Sequence, residues 1–204
     1  MVYFLKVKKK QEEYVIRKRG KYLFFLNNFS GKLNVLIENN NCQVFIFGVY
    51  IGKGSEEFNL NTYQIHKKGE SLSNLLVKGI FLDKSKFLYE GLIRIEKEAN
   101  NSTAYQKNQN LVLSDNCLIE SKPYLEILAN DVFCTHGSTT SNLNKEQIFY
   151  LKARGLSEKK ATFLLVEGFL FDIFFEMEKI LGKNKTNYLY QKTKKQIENI
   201  LKYI

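Results

Sequence analysis

Between residues 22 and 143 the chain is a succession of short apolar segments with no helical period. Asn34–Ile37, Val44–Phe47, Leu75–Ile80, Gly91–Ile95, Leu111–Leu113, Leu125–Leu128 and Asp131–Cys134 are short and often β-branched. Clusters of Asn, Gly, Ser or Lys separate them, among them Asn39-Asn40-Asn41 and Gly52–Ser55. Segments of this length, bounded by turn formers, read as strands. Two architectures accommodate so many short strands. A β-sandwich distributes them between two antiparallel sheets. A β-solenoid winds them into stacked coils, with Asn tolerating left-handed corners and stacking in ladders there. Asn100, Asn101, Asn108, Asn110, Asn116 and Asn130 lie between apolar triplets and suit such corners. The strand pattern alone leaves both architectures open.

Residues 144–204 follow a different rule. Asn144 is placed to cap a helix, with Gln147 three residues on; that helix runs to Arg154 and Gly155 stops it. Arg154 is expected to satisfy the last carbonyls, with Gly155 at the cap. Ser157 caps a second helix, with Glu158 in its first turn and Ala161, Leu164, Leu165 and Gly168 on its inward face. Phe169, Phe171, Phe174 and Phe175 add more apolar surface than one face needs, which fits a partner contact or a core. Gly182 breaks the chain again, and a Lys-rich helix is expected from Asn187 to Ile204. The chain thus divides into a basic N-terminal segment (1–21), a β core (22–143) and a helical region (144–204).

The charge follows this division. The net charge is +10, yet residues 1–21 and residues 179–204 each carry +6 and the remainder carries −2. Basic blocks at chain ends usually mark solvated or interacting tails rather than a binding face on the core. The 20 Asn and many Lys fit an AT-rich coding bias. Cys42, Cys117 and Cys134 are too few and too scattered for a disulfide framework. The first residues lack the apolar core of a secretory signal, and the apolar stretch 161–175 is too short to span a bilayer. A cytoplasmic protein is the expectation.

Few residues carry chemistry. His66 and His136 are the only histidines, and no phosphate-binding loop, dinucleotide Gly pattern or paired-carboxylate motif is present. The densest polar stretch runs from Asp131 through Cys134, Thr135 and His136 to Ser141. On a strand, Cys134 and His136 project to one face. A thiolate beside an imidazole suits a soft metal such as iron or zinc. Two ligands are half a site, so the rest would come from elsewhere or from another chain. The competing reading is a buried Cys and a hydrogen-bonded His. His66 reads as structural, Cys117 as core and Cys42 as incidental.

Four blocks carry a resemblance: Ala104–Ser114, Lys122–Ile127, Asp131–Thr139 and Ile148–Leu156. In order and spacing they resemble the C-terminal core of the SufB/SufD family of iron–sulfur cluster assembly proteins. The likeness is good over about 60–176 and loose over 22–60. The Cys134-Thr135-His136-Gly137-Ser138-Thr139 block is similar to the SufD branch, where the SufB branch usually shows a His-Glu-Ala pattern. Asn108 stands where the SufB branch carries an essential Cys, and an amide supplies no thiolate. The resemblance implies a right-handed parallel β-helix followed by C-terminal helices. It implies pairing with a SufB-like subunit through the β-helix and binding of the SufC ATPase through the helices. It implies a nascent iron–sulfur cluster at the subunit interface, held by a SufB cysteine and by His136, with Cys134 beside it. It places the helix turn at Arg154 near the SufC contact, and allows a flavin in the assembled complex. Family members usually carry a helical domain before the β-helix, where only about twenty residues precede the first expected strands here.

A scaffold subunit without turnover of its own is therefore the leading expectation. A β-helix enzyme acting on polysaccharide would normally be secreted and show an acidic cluster, and the sequence offers neither. A nucleic-acid-binding protein would need basic and aromatic residues interleaved on one surface, which the near-neutral body does not supply.

Overall fold

The computed structural model describes residues 2–203. Its strands are β1 (Val2–Lys6), β2 (Gln11–Ile16), β3 (Gly20–Asn27), β4 (Gly31–Ile37), β5 (Cys42–Gly52), β6 (Glu57–His66), β7 (Leu72–Phe81), β8 (Lys86–Ile95), β9 (Ser102–Val112), β10 (Leu118–Ile127) and β11 (Val132–Asn142). Odd-numbered strands form one sheet in the order β1-β3-β5-β7-β9-β11, and even-numbered strands form the other in the order β2-β4-β6-β8-β10. Every pairing is parallel. Strands that alternate between two parallel sheets describe a flattened β-solenoid, and the sandwich alternative falls. Its antiparallel hairpins are absent among the described residues.

Alternation explains the inside of the coil. In β4 the inward residues Leu33, Val35 and Ile37 are buried and the intervening Asn34 and Leu36 are partly exposed. Stacking in register aligns such positions into columns: Leu5, Phe24, Ile46, Leu75, Gln106 and His136 pair one above the next along the odd sheet. The first coils are shorter than the later ones. Val2 pairs with Lys21 and Gly20 with Cys42, whereas Gln43 pairs with Leu72 and Leu72 with Thr103.

The corners stack as well. Asn41, Glu70 and Asn101 adopt left-handed backbone at φ of 58°, 54° and 57°. Their turns are bridged by Asn41 N–H to Glu70 O at 3.1 Å, Glu70 N–H to Asn100 O at 3.0 Å and Asn101 N–H to Asp131 O at 2.6 Å. Asn100, Asn101, Asn116 and Asn130 occupy corners as expected. Asn108 and Asn110 do not: both are buried on β9 inside the coil, where the Asn110 side-chain amide donates to Asn108 Oδ1 at 2.8 Å. Their i, i+2 spacing puts them on the inward face with Ala104 and Gln106.

The sequence sets residues 1–21 apart as a basic segment ahead of the strands, whereas Val2–Lys6 and Gln11–Ile16 form β1 and β2, which stack on β3 and β4 as a further coil. Apolar alternation places Leu5, Tyr14 and Ile16 against the interior, beneath the lysines that dominate the local charge.

Three helices close the chain. α1 (Lys145–Ala153) is capped by Asn144, whose Oδ1 accepts from Glu146 and Gln147 N–H. Gly155 N–H returns to Lys152 O and Leu156 N–H to Leu151 O, a left-handed glycine ending at φ 86°. α2 (Glu158–Leu181) is capped by Ser157 and ends at Gly182, as the sequence predicts. α3 (Lys183–Ile200) begins four residues earlier than expected, because Gly182 at φ 79° turns the chain directly into it. A 3₁₀ turn, Leu201–Tyr203, follows.

The helices cover the outer face of the odd sheet. Val166, Leu170, Ile173, Phe174 and Met177 of α2 join Leu189 and Ile197 of α3 in one core with Phe47, Val49 and Ile80. Lys78, 3% exposed, projects from β7 into this layer. Its Nζ donates to Phe169 O at 2.7 Å and pairs with the Asp172 carboxylate at 2.6 Å. No helix is long and apolar enough to cross a membrane among the described residues.

Candidate functional site at the open end of the solenoid

β10 and β11 are the edge strands at the far end of the two sheets. No described strand pairs beyond them, so the inward positions of this last rung are left uncovered on one side. β11 contributes Cys134, His136, Ser138 and Thr140 at these positions, above Ala104, Gln106, Asn108 and Asn110 of β9. β10 contributes Ile119, Ser121, Pro123, Leu125 and Ile127, above Phe87, Tyr89, Gly91, Ile93 and Ile95. The structure thus puts Cys134 and His136 side by side on one face, as their spacing predicts, and places both on the terminal rung.

Their environments differ. Cys134 is half-buried against a small cluster of Ile93, Ile95, Ala99, Ala104 and Ala129. That burial pushes its thiol above the ordinary range, partly offset by a backbone hydrogen bond to Ala104. A protonated thiol can become a ligand only when a metal displaces its proton. His136 is exposed. Beneath it Gln106 is held on both sides, its Nε2 donating to Gly91 O at 3.0 Å and its Oε1 accepting from Gln64 at 3.4 Å. No group of three or more His, Cys, Asp and Glu suited to a metal is assembled among the described residues. Cys134 and His136 are thus two adjacent side chains on one strand face, with no third candidate ligand grouped with them among the described residues.

The remaining sequence candidates fall elsewhere. His66 lies buried inside the coil, its Nε2 against Ser73 Oγ at 2.8 Å, and burial lowers its pKa to about 4. Cys42, read as incidental, is fully buried in the main core. Cys117 packs partly buried against the same core, as expected. Arg154 caps α1 through its backbone, its N–H donating to Leu151 O at 3.1 Å, and its side chain takes no part. The N–H groups of Gly155 and Leu156 join it there, and the Arg154 guanidinium rests 5.0 Å from the Tyr150 ring centre. The four phenylalanines of α2 separate: Phe174 is 2% exposed and belongs to the core, Phe169 is partly covered beneath Lys78, and Phe171 and Phe175 are about half exposed at 50% and 52%. A partner surface over all four is therefore ruled out by the helical period, which turns Phe174 inward.

Sequence reasoning missed the polar interior of the later coils. Thr62, Gln64, Ser73, Gln106, Asn108 and Asn110 are all buried there. Strand alternation carried the signal, since each occupies an inward column position.

The profile described as "SUF system FeS cluster assembly, SufBD core domain" matches residues 23–169. The chain belongs to the SufBD family. Its SufBD core is 35% identical over 115 residues to "Iron-sulfur cluster assembly protein SufD" of Escherichia coli, covering 56% of this chain and 27% of that protein. It is 38% identical over 101 residues to a Synechocystis protein named as an iron–sulfur cluster assembly SufBD family member, covering 50% of this chain and 22% of that one. A Porphyra purpurea SufBD family protein is 28% identical over 142 residues, covering 70% of this chain and 29% of that one. The matched stretch spans less than a third of each of these relatives. All four sequence blocks that carried the resemblance lie within the profile match. The SufBD core encloses the whole of β11 and hence both candidate ligands.

Proposed function

We propose that this SufD-like chain is a non-catalytic scaffold subunit for iron–sulfur cluster assembly, with the nascent cluster as its cargo. The observation that carries the reading is the placement of Cys134 and His136 together on the open terminal rung. Half a ligand set on an uncovered coil end is suited to completion by a second coil presenting a thiolate.

The rung is also suited to a subunit contact. Leu118, Tyr124, Ile127, Leu128 and Phe133, on or beside the two edge strands, are between 42% and 57% exposed. Edge strands with free backbone groups are templates for strand addition by a partner. A SufB-like subunit is the proposed partner there, contributing the cysteine in whose place this chain has Asn108. His136 supplies a neutral imidazole ligand, and Cys134 a second ligand once deprotonated by the metal.

The helices are proposed to dock the SufC-like ATPase that would supply nucleotide hydrolysis. α1 has no buried residue, and Phe149 and Tyr150 are 74% and 57% exposed. A groove of about 520 Å³ runs beside it, lined by Leu113, Leu143, Ile148, Phe149 and Lys152. Arg154 and the exposed Phe171 and Phe175 extend the surface.

Anaerobic co-expression with SufB-like and SufC-like partners tests the reading. Co-purification of the three chains is expected, with bound iron and sulfide. Failure to co-purify under reducing conditions overturns the assignment. His136→Ala should retain the complex and lose cluster, read by iron and sulfide content; an unchanged yield would remove His136 from the site.

A further inference from the structure

The two basic ends of the sequence are not separate tails. β1 and α3 lie side by side, and Lys6, Val7 and Lys8 share the walls of one cavity of about 210 Å³ with Leu189, Lys192 and Thr193. Lys6 Nζ also sits 5.7 Å from the ring centre of Tyr188. Asn27 of β3 reaches Gln196 of α3 at 3.3 Å, which fixes the helix against the first coils. On α3, Lys185, Tyr188, Lys192 and Lys195 recur at helical spacing and form one exposed stripe. The opposite face of α3 is buried through Leu189, Thr193, Ile197 and Ile200.

Lys6, Lys8 and Lys192 therefore meet at one cavity, Lys6 beside a Tyr188 ring that is 66% exposed, and Lys185 and Lys195 continue the stripe along α3. None of Lys6, Lys8, Lys185, Lys192 and Lys195 is in a salt bridge among the described residues. Elsewhere lysines do find carboxylates, as Lys67 does with Glu38 and Lys194 with Glu167. Cations on one face without carboxylate partners repel one another, and a polyanion relieves that cost.

We infer that the β1–α3 face binds single-stranded nucleic acid. The chemistry selects this occupant. A lipid surface would be entered by a continuous band of exposed apolar side chains beside the lysines, whereas on α3 Tyr188 is exposed alone among the described residues and Leu189, Ile197 and Ile200 point inward. A protein interface would be centred on an apolar patch, which this face does not present. Lysines flanking an exposed aromatic ring match the demands of phosphates and an unstacked base. The charge was partitioned along the sequence between two ends, and folding reunites it. This site lies on the first coils, away from β10 and β11, and does not depend on the cluster-scaffold reading.

Fluorescence anisotropy of the full chain with a labelled single-stranded oligonucleotide tests it. Engaging four to five lysines predicts a slope of log K against log salt of about −3. Affinity should then fall roughly 60-fold between 50 and 200 mM salt. Lys192→Gln with Lys195→Gln should reduce the slope by about 1.4, and Tyr188→Ala should weaken binding about tenfold. Lys84→Gln with Lys97→Gln removes equal charge from exposed corners and should change affinity less than twofold. Circular dichroism confirms that each variant is folded. Salt-independent binding, equal loss in the corner variant, or equal affinity for anionic vesicles or polyglutamate overturns the inference.

Discussion

Burial holds the His66 imidazole neutral, and this couples folding to pH. Its folded pKa is depressed to about 4 by loss of hydration. The unfolded chain takes up a proton below its ordinary value of about 6.5, while the folded chain resists until about 4. Stability from this group is full above the unfolded value and declines as pH falls between the two. The full loss corresponds to about 3 kcal/mol. Chemical denaturation at pH 7 and pH 4.5 should show the folded state weakened at the lower pH. His66→Gln should flatten that difference relative to the parent chain, and an undiminished pH dependence would place its origin elsewhere. Nδ1 of His66 has no protein partner, so glutamine, which keeps one polar atom for Ser73, is the conservative probe.

Gly91 shows how tightly the interior beneath the proposed site is built. A Cβ there would stand 2.2 Å from the Tyr89 hydroxyl oxygen and 2.4 Å from Gln106 Nε2. Gly91→Ala should therefore displace Gln106, whose Nε2 donates to Gly91 O. The expected cost is about 1–3 kcal/mol from overpacking, measured as a fall in the denaturation midpoint. A neutral result would show that the Gln106 column is slack.

At the scale of elements, one buried lysine fastens the helical layer to the sheet. Lys78 Nζ reaches both the Phe169 carbonyl and the Asp172 carboxylate. Burial lowers its pKa and the Asp172 interaction opposes that. Lys78→Met keeps the aliphatic stem and deletes the ammonium. Asp172 is largely exposed and keeps its hydration, so the loss is expected at the worth of a charged hydrogen bond, about 1.5–3 kcal/mol. Loosening should appear first as faster amide exchange in α2 than in β5 and β7. Uniform acceleration through both layers would contradict a local fastening role.

α1 makes the opposite case. Its caps were readable because they rest on contacts two to five residues apart. The destination of its apolar residues was not readable, since a weakly amphipathic helix with no buried side chain gives no preferred face. Phe149→Ser should therefore change stability by less than about 0.5 kcal/mol. In the proposed complex it should weaken ATPase co-purification, and a folded variant that retains full ATPase binding would remove α1 from that surface.

For the whole molecule, the solenoid has two unlike ends. The terminal rung is apolar on β10 and polar on β11, with five partly exposed apolar residues around it. β1 and β2 carry one lysine between them, Lys6, with Lys8, Lys9 and Lys10 in the turn that joins them. The proposed pairing is assigned to the β10–β11 rung because Cys134 and His136 lie there. Phe133→Lys and Tyr124→Glu together should block association with a SufB-like partner in size-exclusion chromatography while leaving the thermal midpoint nearly unchanged. Association that survives both changes would move the interface away from this rung.

The sequence by itself determined the short-strand class, the three helices with their Asn144, Ser157 and Gly182 boundaries, and the common face of Cys134 and His136. These features follow from spacings of two to four residues, which the backbone enforces locally. It did not determine that Asn108 and Asn110 lie inside the coil, that Phe174 is core, or that the solenoid starts at β1. Nor did it show that Lys6 and Lys192 share a cavity. Those outcomes depend on which residue of one coil stacks on which residue of the next, and on which sheet face the helices cover. Apolar burial summed over the whole stack selects that register, and no local period encodes it.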